Sequence, residues 1–495
     1  MKNLLIASLA VLLSTGVALA QELPQKDSKW FTDAQAKIQE MVARQPITGR
    51  AKNVILFTAD GNGVGTNYAI RLFSGQQAGG LGDDYVQPHE AFPNLALVKT
   101  YTTNGQTADS APTASAMNTG VKSKNGMINI DETVAEADCA AGLDHQMTTF
   151  AEIVSEAGKS VGVVSTARIT HATPAAVYAK TAQRDWEHNA ALPEGCAQKD
   201  IADQLIEQMK SGVIDIALGG GRGNFIPADA KDEEDKGGKR TDGRNLIEEA
   251  KAAGAQYVWN DETFAALGDA ATTPVLGLFE SSHMKYEADR TGEPSLAEMT
   301  AATIKSLSTN ENGFYLMVES GRVDHANHDG NLYRTLTDGK AFADAIALAD
   351  ELTNDEDTLI IVTADHEHAI SFNGYCGRGS PITGLCYDVN GAGVEHTGEP
   401  LLGDDGKPYT VAGFLNGAGS LLKQDTQWTG SRPDLTNEQA MDKDYLQQAL
   451  IPMSSETHSG EDVAVMAKGP WAHLFDGVIE QNYIFHVMDY AVNAE

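Results

Sequence analysis

Five short apolar runs, each followed by polar or charged residues, constrain the fold of this chain more than any other feature. The runs cover residues 54–58, 161–165, 214–218, 314–318 and 359–363. A mostly apolar run of this length is typical of a strand that is buried on both faces of a parallel sheet. Aspartate, histidine, threonine or glutamate follows most of the runs. The pattern therefore predicts a sheet whose strand ends carry reactive side chains.

Helical stretches separate these runs, at residues 149–158, 201–210, 246–253, 295–306 and 332–352. Alternation of strand and helix predicts an α/β fold with a doubly wound, mostly parallel central sheet flanked by helices. We also predict a last strand at 463–467 and a closing helix at 479–492. Ligands bind beyond the carboxyl ends of the strands in such sheets, so we expect the functional site there.

The chain shows no proline- or serine-rich linker and no internal repeat, so residues 21–495 are predicted to form a single domain. A helix at 28–45, ended by Pro46, would be an N-terminal arm. Residues 371–456 are rich in glycine, asparagine and aspartate and contain few apolar runs. This stretch is predicted to be a long surface insertion within the domain.

Residues 1–20 have the features of a secretory signal peptide, with Lys2, an apolar run at 4–13 and a small-residue cleavage site at 18–20. We therefore expect a periplasmic or secreted protein. No later stretch is long and apolar enough to predict a membrane span.

The four cysteines suit an oxidising compartment and allow three pairings. The short spacing of Cys376 and Cys386 favours that pair, which leaves Cys139 with Cys196.

The formal net charge of −33 argues against a nucleic acid partner and against an anionic membrane, since both attract basic surfaces. If the substrate is an anion, the site must carry local positive charge of its own. Bound metal ions are the obvious source of that charge.

Ser110 lies at the start of a predicted helix. Asp109 and Ser110 suit an N-cap, Pro112 is tolerated in the first turn, and Gly120 can end the helix. A helix start favours a bound anion, but a serine hydroxyl needs a base or a metal ion to act as a nucleophile. An ordinary capping serine is the competing interpretation.

Several histidines and carboxylates could supply the metal ions. Asp324 and His328 are four residues apart and would share one helical face, whereas Asp365 and His366 are adjacent at a strand end. Each pair alone is a weak signal. Nitrogen and oxygen ligands without thiolate suit Zn²⁺ in an open catalytic site, and oxygen ligands alone suit Mg²⁺.

The order of these motifs resembles that of the alkaline phosphatase family, from about residue 54 to 377 and again from 456 to the end. The matching segments are 60–63, 109–111, 171–176, Arg184, 318–319, 322–328, 364–366 and 457–463. The resemblance implies that a homodimer hydrolyses small phosphate monoesters through a phosphoserine intermediate, with two Zn²⁺ and one Mg²⁺ as cofactors.

Site residues also follow from the resemblance. It implies that Ser110 is the nucleophile and that Arg184 is a phosphate clamp. The implied ligands are Asp324, His328 and His458 for one zinc, Asp60, Asp365 and His366 for the other, and Asp60, Thr173 and Glu319 for magnesium. His171 and His325 resemble the family variant that has histidines beside the magnesium and outer zinc. Residues 278–293 resemble a calcium-binding segment of some members but are shorter, so a calcium site stays open.

Three alternative functions remain to be weighed. A sulfatase needs an arginine where this chain has Ala114, which argues against that activity. A phosphodiesterase of the same superfamily would share the two-zinc core, but Thr173 and Glu319 favour a monoesterase. A non-catalytic exported protein that binds metal or phosphate would explain the ligands and the signal peptide, and it would show no turnover.

Overall fold

The computed structural model describes residues 23–268, 271–424 and 427–494. The predicted signal peptide lies outside these ranges. The chain divides into two compact units, of which the first ends at Pro46 and the second begins at Ile47. The first unit contains the predicted N-terminal helix, and the second contains every other element described below.

The helices α1 to α14 are, in chain order, Lys29–Ala43, Val64–Gln77, Ser110–Thr119, Cys139–Asp144, Phe150–Glu156, Ala172–Ala175, Ile201–Ser211, Leu246–Ala252, Asp261–Ala265, Leu296–Leu307, Arg322–His328, Leu332–Leu352, Asn437–Ala440 and Tyr483–Asn493.

The strands β1 to β17 are, in chain order, Asn53–Ala59, Asn94–Lys99, Ser160–Arg168, Ile216–Gly220, Gln256–Val258, Val275–Leu278, Phe314–Ser320, Thr358–Ala364, Glu367–His368, Ile370–Phe372, Ala412–Gly417, Lys423–Gln424, Trp428–Thr429, Ala449–Pro452, His458–Ser459, Val463–Lys468 and Val478–Glu480.

Ten strands form the central sheet, in the order β17-β2-β16-β8-β1-β7-β3-β4-β6-β5. Strand β16 runs antiparallel to both β2 and β8, while the other neighbouring pairs are parallel. The predicted α/β class with a mostly parallel sheet is therefore confirmed.

The apolar runs are continuous because both faces of the sheet are covered. In β1, Val54 and Leu56 pack into one hydrophobic cluster, and Ile55 and Phe57 pack into another. Helices α3, α5, α7 and α14 contribute to the first cluster, whereas α10 and α12 contribute to the second. Side chains of a strand point alternately to opposite faces, so each buried face requires its own apolar set.

Several predicted boundaries differ from the observed ones, among them the start of β4 and, most of all, the start of the closing helix. The strand predicted at 214–218 is β4, which begins at Ile216, although the backbone of Asp215 still bonds to Val161 and Val275 on the two neighbouring strands. The closing helix predicted from 479 begins at Tyr483, since residues 478–480 form the edge strand β17 beside β2. Strand β17 is defined by its pairing with β2, which is far away in sequence. The periodicity of the local sequence cannot reveal such a pairing.

The insertion predicted at 371–456 contributes no strand to the central sheet within the part of the chain that the structure describes. Strands β10, β11 and β14 form a separate small sheet. The disulfide Cys376–Cys386 lies in this region, and the second disulfide joins Cys139 to Cys196. Both favoured pairings are present. None of the described helices combines the length and the apolar character needed to cross a membrane.

Candidate active site

The predicted site residues meet at the carboxyl ends of four neighbouring strands, β8, β1, β7 and β3. Asp60 follows β1, Asp365 and His366 follow β8, and Glu319 lies near the end of β7. His171 follows β3. Parallel strands bring their carboxyl ends to one edge of the sheet, so residues far apart in sequence become neighbours here.

Ser110 is the first residue of α3 and is only 2% exposed. Asp109 caps this helix and accepts the backbone N–H groups of Ala111 at 2.8 Å and Gly126 at 2.6 Å. The Ser110 hydroxyl donates to Asp60 Oδ1 at 3.3 Å and lies 3.3 Å from His366 Nε2. The capped helix therefore holds the serine oxygen against two of the predicted metal ligands.

The first group of possible metal ligands consists of Asp324, His328, His368 and His458. Helix α11 presents Asp324 and His328 on one face, as their spacing predicts. The Nδ1 atom of His328 donates to the carbonyl of Glu456 at 2.6 Å, and that of His458 donates to the carbonyl of Ala108 at 2.8 Å. These bonds leave both Nε2 atoms, which are 3.0 Å apart, as acceptors toward a cation.

His368 contacts Asp324 of this group and also Glu456. Its Nε2 atom is 2.8 Å from Asp324 Oδ1, and its Nδ1 atom is 2.5 Å from Glu456 Oε2. Burial opposes protonation, but the hydrogen bonds to both carboxylates outweigh it and raise the pKa of His368 to about 10. A doubly protonated ring donates to both carboxylates at neutral pH, so His368 positions Asp324 rather than offering a lone pair.

Asp60, Asp365 and His366 form the second group, and all three side chains are fully buried. His366 Nε2 lies 3.3 Å from Asp60 Oδ1 and 3.2 Å from Asp365 Oδ2. The backbone N–H of Gly61 donates to Asp365 at 3.0 Å. Gly61 has a φ of +69°, and a Cβ atom there would lie 2.4 Å from the His368 ring, so only glycine fits this turn.

Asp60, His171 and Glu319 form the third group. The Ser165 hydroxyl donates to one oxygen of Glu319. The other oxygen, Oε1, and the hydroxyl of Thr173 are both buried and have no hydrogen-bond partner among the described residues. Unpaired buried oxygens are costly, and a hard cation such as Mg²⁺ would satisfy both.

Burial and mutual repulsion perturb the carboxylates of the site. Burial raises the pKa of Asp60 well above its ordinary range, and the carboxylates of Asp324 and Glu319 add to the shift. Burial likewise raises the pKa of Glu319 to about 8 and that of Asp365 to about 6. The protein alone therefore opposes full ionisation of this cluster, and divalent cations are the charges that would offset the repulsion.

Arg184 reaches the site beside Ser110. Its Nη1 atom donates to Asp109 Oδ1 at 3.0 Å, and its Nη2 atom lies 3.0 Å from His171 Nε2. The His171 ring is 5.4 Å from that of His325, between ring centroids. The structure thus brings together all twelve predicted site residues, while their individual roles stay predictions.

Four supporting residues were not found from the sequence. The local sequence indicates Asp109 only as a helix cap, and it gives no supporting role to His368, Glu456 or Ser165. A usable signal existed for His368, which stands two residues after His366 in the Asp-His-Glu-His segment. Its pairing with His458, through the antiparallel strands β9 and β15, requires the fold.

Comparison with known proteins identifies relatives along nearly the whole chain. The family model described as alkaline phosphatase matches residues 51–494. The chain is 39% identical to the tissue-nonspecific alkaline phosphatase isozyme of Gallus gallus, covering 99% of this chain and 94% of the relative. It is also 39% identical to an alkaline phosphatase of Gadus morhua, covering 94% of this chain and 97% of the relative.

A solved structure shows the same fold. The Thermus thermophilus alkaline phosphatase superposes with a TM-score of 0.63 at 22% identity, covering 92% of this chain and 94% of that one.

Proposed function

The chain belongs to the alkaline phosphatase family, and on that premise we propose that it hydrolyses phosphate monoesters through a phosphoserine formed on Ser110. It is an enzyme of the alkaline phosphatase type, and the family is metal-dependent. The observation that carries the finer proposal is the position of the Ser110 hydroxyl, 3.3 Å from both Asp60 and His366.

We propose two Zn²⁺ and one Mg²⁺ as the cofactors. One zinc would be held by Asp324, His328 and His458, the other by Asp60, Asp365 and His366, and the magnesium by Asp60, Thr173 and Glu319. These ions would supply the positive charge that lowers the pKa of the serine hydroxyl and of water and that neutralises phosphate oxygens. The donor sets fit, since they combine inward-facing imidazole Nε2 atoms with buried, unpaired oxygens.

The protein's own residues orient the Ser110 oxygen for its attack on phosphorus. The Ser110 oxygen attacks phosphorus in line, the Oγ–P bond forms as the ester P–O bond breaks, and the alcohol leaves with a proton. Water then attacks the phosphoserine, releases inorganic phosphate and returns a proton to Ser110 Oγ. The hydrogen bond to Asp60 aims the serine oxygen, and the cap on α3 fixes its backbone.

Arg184 is the proposed clamp for the non-bridging phosphate oxygens. Its planar fork can donate two parallel hydrogen bonds to phosphate. Asp109 and His171 hold the two terminal nitrogens 3.0 Å away each, so the guanidinium is oriented before substrate binds. Pre-ordering of this kind reduces the entropic cost of binding.

We also propose that the protein is exported and acts as a homodimer. The two disulfides suit an oxidising compartment. Light scattering measures the molar mass of the purified protein and so tests the dimer. We expect twice the mass of one chain, and the mass of a single chain would contradict the proposal.

The activity is tested by comparing p-nitrophenyl phosphate with bis(p-nitrophenyl) phosphate and p-nitrophenyl sulfate. We expect the monoester to dominate, its hydrolysis to stop after chelation, and Zn²⁺ with Mg²⁺ to restore it. Preference for the diester would support a phosphodiesterase instead. Stoichiometric phosphate binding without turnover would support a non-catalytic binding protein.

A further inference from the structure

Arg322 lies beside the active site and stacks on an aromatic ring, without an ion-pair partner among the residues that the structure describes. Its guanidinium carbon lies 3.7 Å from the centroid of the Tyr286 ring. The Nε atom is buried without a hydrogen bond, and the guanidinium forms no ion pair with any residue that the structure describes. Partly buried arginines are normally paired, so this one is available to an external anion.

Helix α11 connects Arg322 to the metal-binding groups. Residues three or four apart on a helix are neighbours, so Arg322 adjoins His325, and His325 adjoins His328. Helix α11 therefore carries the proposed zinc ligands Asp324 and His328. His325 and Arg322 lie next to them on the same helix.

Two further histidines, His283 and His171, lie between the α11 residue His325 and Arg184. The His325 ring is 4.0 Å from that of His283 and 5.4 Å from that of His171, between ring centroids. His171 in turn contacts the Arg184 guanidinium at 3.0 Å. A surface rich in nitrogen groups thus runs from the proposed phosphate clamp to Arg322.

Two other arginines on this surface, Arg168 and Arg184, are each paired with a carboxylate. Glu187 pairs with Arg168 through two oxygens, and Asp109 pairs with Arg184. The carboxylate of Asp329, by contrast, does not pair with an arginine in the described ranges. It accepts the hydroxyl of Tyr286, the residue whose ring Arg322 contacts, at 2.6 Å. In a protein with a net charge of −33, an unpaired cation at the site locally favours anionic ligands.

We propose that Arg322, with His325, whose buried Nδ1 atom has no hydrogen-bond partner among the described residues, binds a second anionic group at the distal end of the substrate's leaving group. This inference rests on the proposed phosphomonoesterase function and names its substrate class, open-chain phosphomonoesters with a remote carboxylate or phosphate. Helical neighbours are about 5–6 Å apart. His325 then lies 5.4 Å from His171, and His171 lies 3.0 Å from Arg184. Arg322 is therefore on the order of 10 Å from the clamp, a separation that a six-carbon chain can span.

A matched pair of substrates isolates the second anion. 6-Phosphogluconate and glucitol 6-phosphate have the same carbon chain and differ only in a terminal carboxylate. We expect wild-type kcat/KM to be about tenfold higher for 6-phosphogluconate, mainly through KM, and the preference to fall as salt rises. Glucitol 1,6-bisphosphate, compared in the same assay, shows whether a phosphate serves better than a carboxylate.

Substitution at Arg322 completes the test. We expect Arg322→Ala to reduce the preference to about onefold and Arg322→Lys to keep part of it, because lysine retains the charge without the stacked fork. Arg378→Ala is the charge-matched control, since Arg378 pairs with Asp83 in an exposed position, and it should retain the preference.

Two results would overturn the subsite. One is a wild-type enzyme that hydrolyses p-nitrophenyl phosphate without preferring the carboxylate, and the other is a preference that survives in Arg322→Ala. Absence of any hydrolysis, including that of p-nitrophenyl phosphate, would instead contradict the proposed function, so the two failures are distinguishable.

Discussion

The Nδ1 atom of His458 donates to the backbone carbonyl of Ala108 at 2.8 Å, two residues before Ser110. His458 comes from the strand that follows the long insertion, while Ala108 belongs to the turn that begins α3. One hydrogen bond therefore joins a proposed zinc ligand to the segment that positions the proposed nucleophile. It also fixes which ring nitrogen faces the metal group.

Replacement of Arg184 should weaken inhibition by inorganic phosphate. Both Arg184→Ala and Arg184→Lys are expected to raise the inhibition constant at least about tenfold while leaving measurable turnover, since lysine cannot reproduce the two-pronged contact. Steady-state inhibition measures this. Arg244→Lys is the control, because Arg244 pairs with Glu249 away from the site. Wild-type inhibition in Arg184→Lys would exclude the clamp.

His368 should control metal affinity without binding metal itself. His368→Ala removes the imidazole that holds Asp324 and Glu456, so we expect zinc affinity to fall roughly 10- to 100-fold. Chelator competition measures the affinity. The control is His396→Ala, since His396 stacks on Tyr387 in the insertion. Equal zinc affinities in the His368 variant and the wild type would refute this positioning role.

Asp338 should make stability depend on pH. Burial raises the pKa of Asp338 to about 8, so the folded protein holds this proton while the unfolded chain has lost it. The native form therefore loses stability relative to the unfolded chain as pH rises from about 4 to about 8. Asp338→Asn removes that dependence.

We expect the Asn variant to melt several degrees above the wild type at pH 9, because it has no buried carboxyl to ionise, and closer to the wild type at pH 5. Calorimetry at both pH values measures the difference. Asp344→Asn, an exposed position on the same helix, should show no such pH effect. A difference independent of pH would rule out a buried, protonated Asp338.

The sequence predicts the proposed metal ligands better than the residues that hydrogen-bond to those ligands, for a physical reason. Asp60, Asp365 and His366 follow apolar strands, and local patterning reveals both the strands and the shared edge at which they end. His368 and Glu456 act through a contact between segments 88 residues apart, which no local pattern encodes. Helical periodicity extends over strand β17 for the same reason, because its partner β2 lies far away in sequence and no local pattern reveals the pairing.

Trapping the phosphoenzyme tests the central claim most directly. The enzyme is mixed with p-nitrophenyl phosphate, quenched in acid, digested and mapped by mass spectrometry, with Ser110→Ala treated in parallel. We predict one phosphoryl group on Ser110 in the wild type, none in the variant, and a fall in kcat of at least roughly three orders of magnitude. Phosphate on another residue such as Thr113, or wild-type turnover by Ser110→Ala, would contradict the account.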